Sequence, residues 1–296
     1  MSERRGGNRA KGVLAIVVSA LGFAFMAAFV RMADDFGAPL SSFQKGFFRN
    51  VVALVIALAV LMRSGGVARV FKCAGSTSAR AWVVLVLRSV LGSCGLFANF
   101  YALSHVAIAD GQTLNKTAPF FTVICAWLFL GEKAAARQIA ALALAFVGVV
   151  FVAKPGFAGD AAFPLAMGLF GGVCAGGAYA CVHALRRHGM EPAFIVVFFS
   201  AFSTLAVIPF IAVDFVPMTL SQVAILLGAG ASAAIGQFGI TAAYGYAEPR
   251  EIAVYDYSNI IFTAALGFAF FGQIPDMWSV VGFVLIVVAA ARVGAS

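Results

Sequence analysis

Charge is scarce in this chain. Only 11% of its 296 residues are Asp, Glu, Lys or Arg, while 62% are hydrophobic and the mean hydropathy is +1.00. Ordinary soluble domains carry roughly 25% charge, so the deficit excludes a soluble globule. Long polar linkers are missing as well. Ten apolar blocks, each of about 20 residues and able to cross ~30 Å of hydrocarbon, take up roughly two thirds of the length. Cysteine is sparse: Cys73, Cys94, Cys125, Cys174 and Cys181 contain no CxxC pair, and four of them lie inside apolar blocks. A disulfide framework or zinc site is therefore not expected. His105, His183 and His188 share no ligand spacing, so the sequence calls for no metal and no cofactor. Acid is short too, giving a net charge of +8, yet the 20 Lys and Arg are dispersed and no basic helix with interleaved aromatics occurs. That argues against nucleic acid. The expected partners are the lipid bilayer and a small-molecule solute.

What is present is a set of hydrophobic runs, near residues 12–33, 43–62, 81–104, 106–130, 134–153, 163–185, 192–211, 220–245, 252–272 and 275–293. The basic start at Arg4, Arg5, Arg9 and Lys11 resembles a signal peptide. However, a signal core is typically 7 to 15 apolar residues, and Val13 to Val30 is uninterrupted, so the run is read as a retained first span. With the N-terminus inside and connections alternating, fourteen Lys and Arg face the cytoplasm, whereas Arg31, Lys45 and Lys154 face out. This asymmetry follows the positive-inside rule and predicts both termini on the cytoplasmic side of the inner membrane.

The runs repeat. Gly12 to Arg31 lies without gaps on Gly168 to Arg187, matching Gly12 with Gly168, Ala24 with Ala180 and Arg31 with Arg187. LFLGEK from Leu128 parallels FAFFGQIP from Phe268, setting Gly131 on Gly272 and Glu132 on Gln273. Five spans per copy is an odd number, so the second copy enters the membrane inverted, as in many secondary transporters with a midplane site. The expected fold is an all-α polytopic membrane protein of ten transmembrane helices in two inverted five-helix repeats. Its parts are a tail at 1–11, a first repeat at 12–153 and a second at 163–293.

The stretch YALSHVAIADGQTLNKTAPFFTVICAWLFLGEK, Tyr101 to Lys133, resembles the hallmark of the EamA family in the drug/metabolite transporter superfamily. YGYAEPREIAVYDYSNIIFTAALGFAFFGQIP from Tyr244 repeats it, with Gln273 where the family has an acid and no Pro opposite Pro119. The resemblance implies a ten-helix carrier of small metabolites, with helices one, three, four, six, eight and nine around a central cavity.

Several polar residues fall deep in these runs. Arg88, Gly92, Gly95 and Asn99 share one face of the third helix. A mid-membrane charge must face protein or water, so this stripe reads either as cavity lining or as an arginine tied to structural partners. Lys116 lies some ten residues from either end of the fourth run, too deep to snorkel easily. Pro119 frees a carbonyl near Asn115 and favours a kink there; the alternative is an ordinary kink beside a fixed ion pair. Asp256, flanked by Tyr255 and Tyr257, is the acid set well inside a span, at a depth within ~5 Å of Arg88 by helical rise. It is read as a counter-ion that releases Arg88 to a solute, with proton carriage as the competing role.

Gln237 reads evenly as a neighbour's partner or a solute contact, and Tyr179 and Tyr257 as platforms for a planar ligand. Arg49 and Lys45 are read as snorkelling to the outer edge, and His183 as interfacial. The small-residue stripes Gly228, Ser232, Gly236 and Gly239 in the eighth run, and Ala15, Ser19 and Gly22 in the first, read as helix packing. The function expected is secondary transport of small polar anionic or zwitterionic metabolites, such as amino acids or their derivatives, by alternating access. The alternative is a non-transporting membrane protein with a structural or receptor-like role. An enzyme is not expected, because no nucleophile and base converge.

Overall fold

Apolar segments in a bilayer must satisfy their backbone internally, which favours helices. In the computed structural model, which describes residues 2–63, 75, 78–105, 114–153, 162–213, 215–272, 274 and 277–294, regular structure is helical throughout. The longer helices are α1 (Ser2–Met32), α2 (Ser42–Arg63), α3 (Ala79–His105), α4 (Ala118–Leu130), α5 (Ala136–Ala153), α6 (Ala162–Arg187), α7 (Pro192–Val213), α8 (Leu220–Tyr246), α9 (Ser258–Phe271) and α10 (Met277–Gly294). Seven segments among the described residues are long and apolar enough to cross a membrane. The shorter apolar helices are those at α4, α5 and α10. The expectations for Cys73, Lys154 and Gln273 fall outside the described residues.

Two runs are broken, the fourth where Pro119 led to the expectation of a kink and the ninth where none was expected. The fourth run turns at Lys116 and Thr117 before α4 begins, one helical step ahead of Pro119. The Thr117 hydroxyl donates to the Leu114 carbonyl at 2.7 Å, and the Thr117 backbone N–H donates to the same oxygen at 3.1 Å, which holds the turn. The ninth run has no proline at the matching place, yet it breaks too. A helical turn at Pro249–Ile252 gives way to a 3-10 helix at Ala253–Tyr257 before α9 starts. Both α4 and α9 then end alike, on Gly131 (φ 71°) and Gly272 (φ 64°), left-handed positions where a side chain would be strained.

The main helix pairs are α1 with α8, α3 with α6, α5 with α10 and α2 with α7. Small residues allow the first two to pack closely, because lipid supplies no hydrophobic drive between helices and van der Waals contact must hold them. A Cβ on Gly22 would lie 2.8 Å from the Gly236 nitrogen. One on Gly95 would lie 3.0 Å from the Gly171 carbonyl oxygen. Ser19 adds a 2.7 Å hydrogen bond from its hydroxyl to the Gly236 carbonyl. The opposite faces carry exposed Leu14, Val83, Phe129 and Val284, suited to contact with lipid.

Candidate functional site

A cavity of about 130 Å³ lies where α1, α2, α3, α6 and α8 surround the two helix breaks. Arg88, Asn99, Lys116, Tyr179, Gln237 and Asp256, six of the seven residues singled out from sequence, line it. Arg49, Asn115 and Asn259 join them. Tyr257 does not. It is fully buried in a separate apolar cluster with Val123, Leu142, Val149 and Ile286.

The local conformations explain how the charges meet. Lys116 occupies the turn before α4 and Asp256 the 3-10 segment before α9. Their Nζ and Oδ2 atoms are 3.7 Å apart. The pairing of Asp256 with Arg88 that matched depths allowed is thus replaced by a pairing with Lys116, because each sits at a helix break that points it to the centre. Arg88 is 1% exposed and donates from Nη2 to Gln237 Oε1 at 3.0 Å. Its guanidinium carbon lies 3.7 Å above the centre of the Phe199 ring, a cation-π geometry. Nη1 and Nε of Arg88 are buried with no hydrogen-bond partner among the described residues. A Cβ on Gly92 would lie 2.5 Å from Nη1, so glycine there is what gives the guanidinium its seat. Gln237 therefore has a protein partner, and Arg88 keeps two donors free.

Arg49 corrects the sequence reading. It is 5% exposed rather than reaching for the surface, with Nε donating to the Met26 sulfur at 3.0 Å and Nη1 to Asn50 Oδ1 at 3.1 Å. Lys45 instead pairs with Asp34 at 2.6 Å. The described lining thus holds three cations, Arg49, Arg88 and Lys116, and one acid, Asp256. Asn259, which the sequence reading passed over, donates to the Ala20 carbonyl at 2.7 Å and ties α9 to α1 beside the cavity. Asn99 keeps a buried carbonyl oxygen without a partner among the described residues.

The two ends of the cavity differ. Towards Arg31 and Lys45, a second cavity of about 460 Å³ shares Met26, Ala27, Asn99 and Phe100 with the first. Towards Arg187, Tyr179 and Tyr244 sit with ring centres 5.9 Å apart. Beyond them His183, expected at an interface, is 4% exposed. It bonds the Tyr244 carbonyl through Nδ1 at 2.7 Å and Glu132 Oε1 through Nε2 at 2.9 Å. Arg187 donates to the same Glu132 oxygen at 2.7 Å, and Arg250 donates to the Lys133 carbonyl. The glutamate of the LFLGEK stretch is thus a packed closing contact, not a surface charge.

Comparison with known proteins places this architecture. Residues 10–154 match the model of the EamA-like transporter family. The chain is 33% identical over 281 residues to the pseudopaline exporter CntI of Pseudomonas aeruginosa strain UCBPP-PA14, covering 94% of each chain. It is 28% identical over 241 residues to a riboflavin transporter of Brucella anthropi, covering 78% of this chain and 80% of that one. A solved crystal structure 16% identical in sequence superposes with a TM-score of 0.79 over 98% of each chain, which places the fold. Multiple membrane-spanning helices around a buried polar cavity, with transporters as relatives across almost the whole length, lead to one conclusion: the chain is a multi-pass membrane protein of the EamA-like transporter family.

Proposed function

We propose that this protein is a secondary transporter of small polar organic solutes, anionic or zwitterionic, such as amino acids or their derivatives. It works by alternating access in the cytoplasmic membrane, with both termini in the cytoplasm. The observation that carries the reading is the lining of the central cavity, where three cations face one acid and Arg88 keeps two buried donors unused. Buried charge without a partner is costly, so such a site favours a solute that brings compensating negative charge. A carboxylate can accept a charge-assisted hydrogen bond from either of these free guanidinium nitrogens.

The same reading takes the chain as two inverted five-helix repeats, 12–153 and 163–293, forming ten spans. Helix packing supports it. Exchanging each helix with the one five places on turns the α1–α8 pair into α6–α3, and leaves α2–α7 and α5–α10 as self-matched pairs. The breaks before α4 and α9 follow the same exchange, so Lys116 and Asp256 sit where half-helices of two repeats meet.

A thermal-shift screen of the purified protein tests the reading, using amino acids, their N-substituted derivatives, organic acids and organic cations. The expected hits are acids and zwitterions, and the best of them is then followed into liposomes holding the protein. Stabilisation by cations alone, or no flux of any stabilising solute, would overturn it.

A further inference from the structure

The contact that closes the Arg187 end has a proton requirement that follows from its donors and acceptors. His183 Nδ1 faces the Tyr244 carbonyl oxygen at 2.7 Å, an atom that only accepts, so Nδ1 carries hydrogen. Nε2 faces Glu132 Oε1 at 2.9 Å. That oxygen already accepts from Arg187, whose guanidinium cannot act as an acceptor. Both ring nitrogens are thus directed at acceptors, and the His183 and Glu132 pair must hold one proton more than a neutral imidazole beside a carboxylate. Glu132 is 8% exposed and its Oε2 is buried without a partner among the described residues, so little water competes for this pair.

The cluster also joins parts that alternating access must separate. Glu132 and Lys133 follow α4, His183, Arg186 and Arg187 end α6, Tyr244 and Tyr246 end α8, and Glu248 and Arg250 precede the ninth-run break. Arg250 engages Glu248 at 2.6 Å and the Lys133 carbonyl, and Arg186 donates to the Met190 carbonyl, which leaves the His183 ring to Glu132 and the Tyr244 carbonyl. From this geometry we propose that His183 and Glu132 form a proton-binding latch, closed at the cytoplasmic end only while one proton is held between them. This rests on the transporter reading, which supplies the open and closed states. When the α4 corner leaves α6, Nε2–H loses its acceptor and its proton passes to cytoplasmic water; closing takes one up. Each cycle between the two states thereby binds and releases one proton at a place separate from the solute cavity.

Spin labels at Ala135 and His188, both exposed beside the latch, read opening directly in the full chain, with its native cysteines replaced, in lipid nanodiscs. No solute is required. Because the closed state binds the extra proton, acidification favours it. The closed-to-open ratio should rise as pH falls, by at most about tenfold per pH unit for a single proton. His183→Gln and Glu132→Gln should each abolish the dependence, and having two variants guards against one that does not fold. Histidine labelled with ¹⁵N gives a second readout: at neutral pH, the ring signal removed by His183→Gln should belong to a ring protonated on both nitrogens. A pH response that persists in both variants, or a singly protonated His183 ring in the closed state, would overturn the latch and leave the transporter reading standing. One distance at every pH in the parent would remove both.

Discussion

Arg88 is the residue on which the reading of the cavity turns, because it is buried, stacked on Phe199 and satisfied on one nitrogen only. Asp256 restrains the site in the opposite sense by holding Lys116 at 3.7 Å. Asp256→Asn should therefore free the lysine and tighten binding of an anionic solute by roughly tenfold, the scale of one charge-assisted hydrogen bond. The same variant without solute should unfold at lower temperature, since an uncompensated buried cation costs several kcal/mol, roughly 3–5 where one partner of a buried pair is lost. Thermal unfolding with and without solute reads both effects. Arg49→Gln should weaken anion binding as well, measured in the same assay. That arginine escaped the sequence reading because its nearness to the start of α2 made a reach to the outer edge the simpler explanation. What sequence spacing omits is direction: Met26 and Asn50 hold the side chain inward. The cavity-lining position of Lys116 was legible from its distance to either end of its run, and that of Arg88 and Asn99 from the single helical face they share. Tyr257 has the same polar tip but packs among apolar residues, a choice made by the 3-10 twist that separates it from Asp256.

At the scale of the helices, the close pairs rest on glycine and the breaks on different chemistry in the two halves. Gly95→Leu would push α3 from α6, where the Gly171 carbonyl, the Ala175 nitrogen and the Cys174 side chain all lie within 3.2 Å of the new Cβ. Overpacking of this kind costs about 1–3 kcal/mol, so the midpoint of thermal unfolding should drop while membrane insertion is retained. The break before α4 was legible from Pro119. The break before α9 was not, because no proline marks it and the 3-10 segment packs instead against α1, α4 and α5, which are distant in sequence. The His183 contact was hidden for a similar reason: nothing local links residue 183 to residue 132, which meet only when α6 packs on α4.

For the molecule as a whole, the charge asymmetry and the exchange of helix pairs lead to the same topology. Reporter fusions at both ends should place them together on the cytoplasmic side. An external C-terminus with an internal N-terminus would require an odd number of spans and would break the two-repeat reading. On the proposed topology the cavity lies between the repeats; it adjoins a second cavity through Met26 and Asn99 and is bounded at the other end by Tyr179, Tyr244, His183 and Glu132. The proposed alternating-access carrier makes use of that arrangement, with buried Arg49 and Arg88 and partly buried Lys116 around an open space. The central claim is that these cations bind the transported solute. Its most direct test is uptake into liposomes of the best anionic or zwitterionic solute, comparing the parent with Arg88→Gln and Lys116→Gln reconstituted in equal amounts. The account predicts saturable uptake by the parent and a loss of tenfold or more in transport efficiency in each variant, in line with about 1.5–3 kcal/mol per charged hydrogen bond. Uptake at the parental rate by both variants would contradict it.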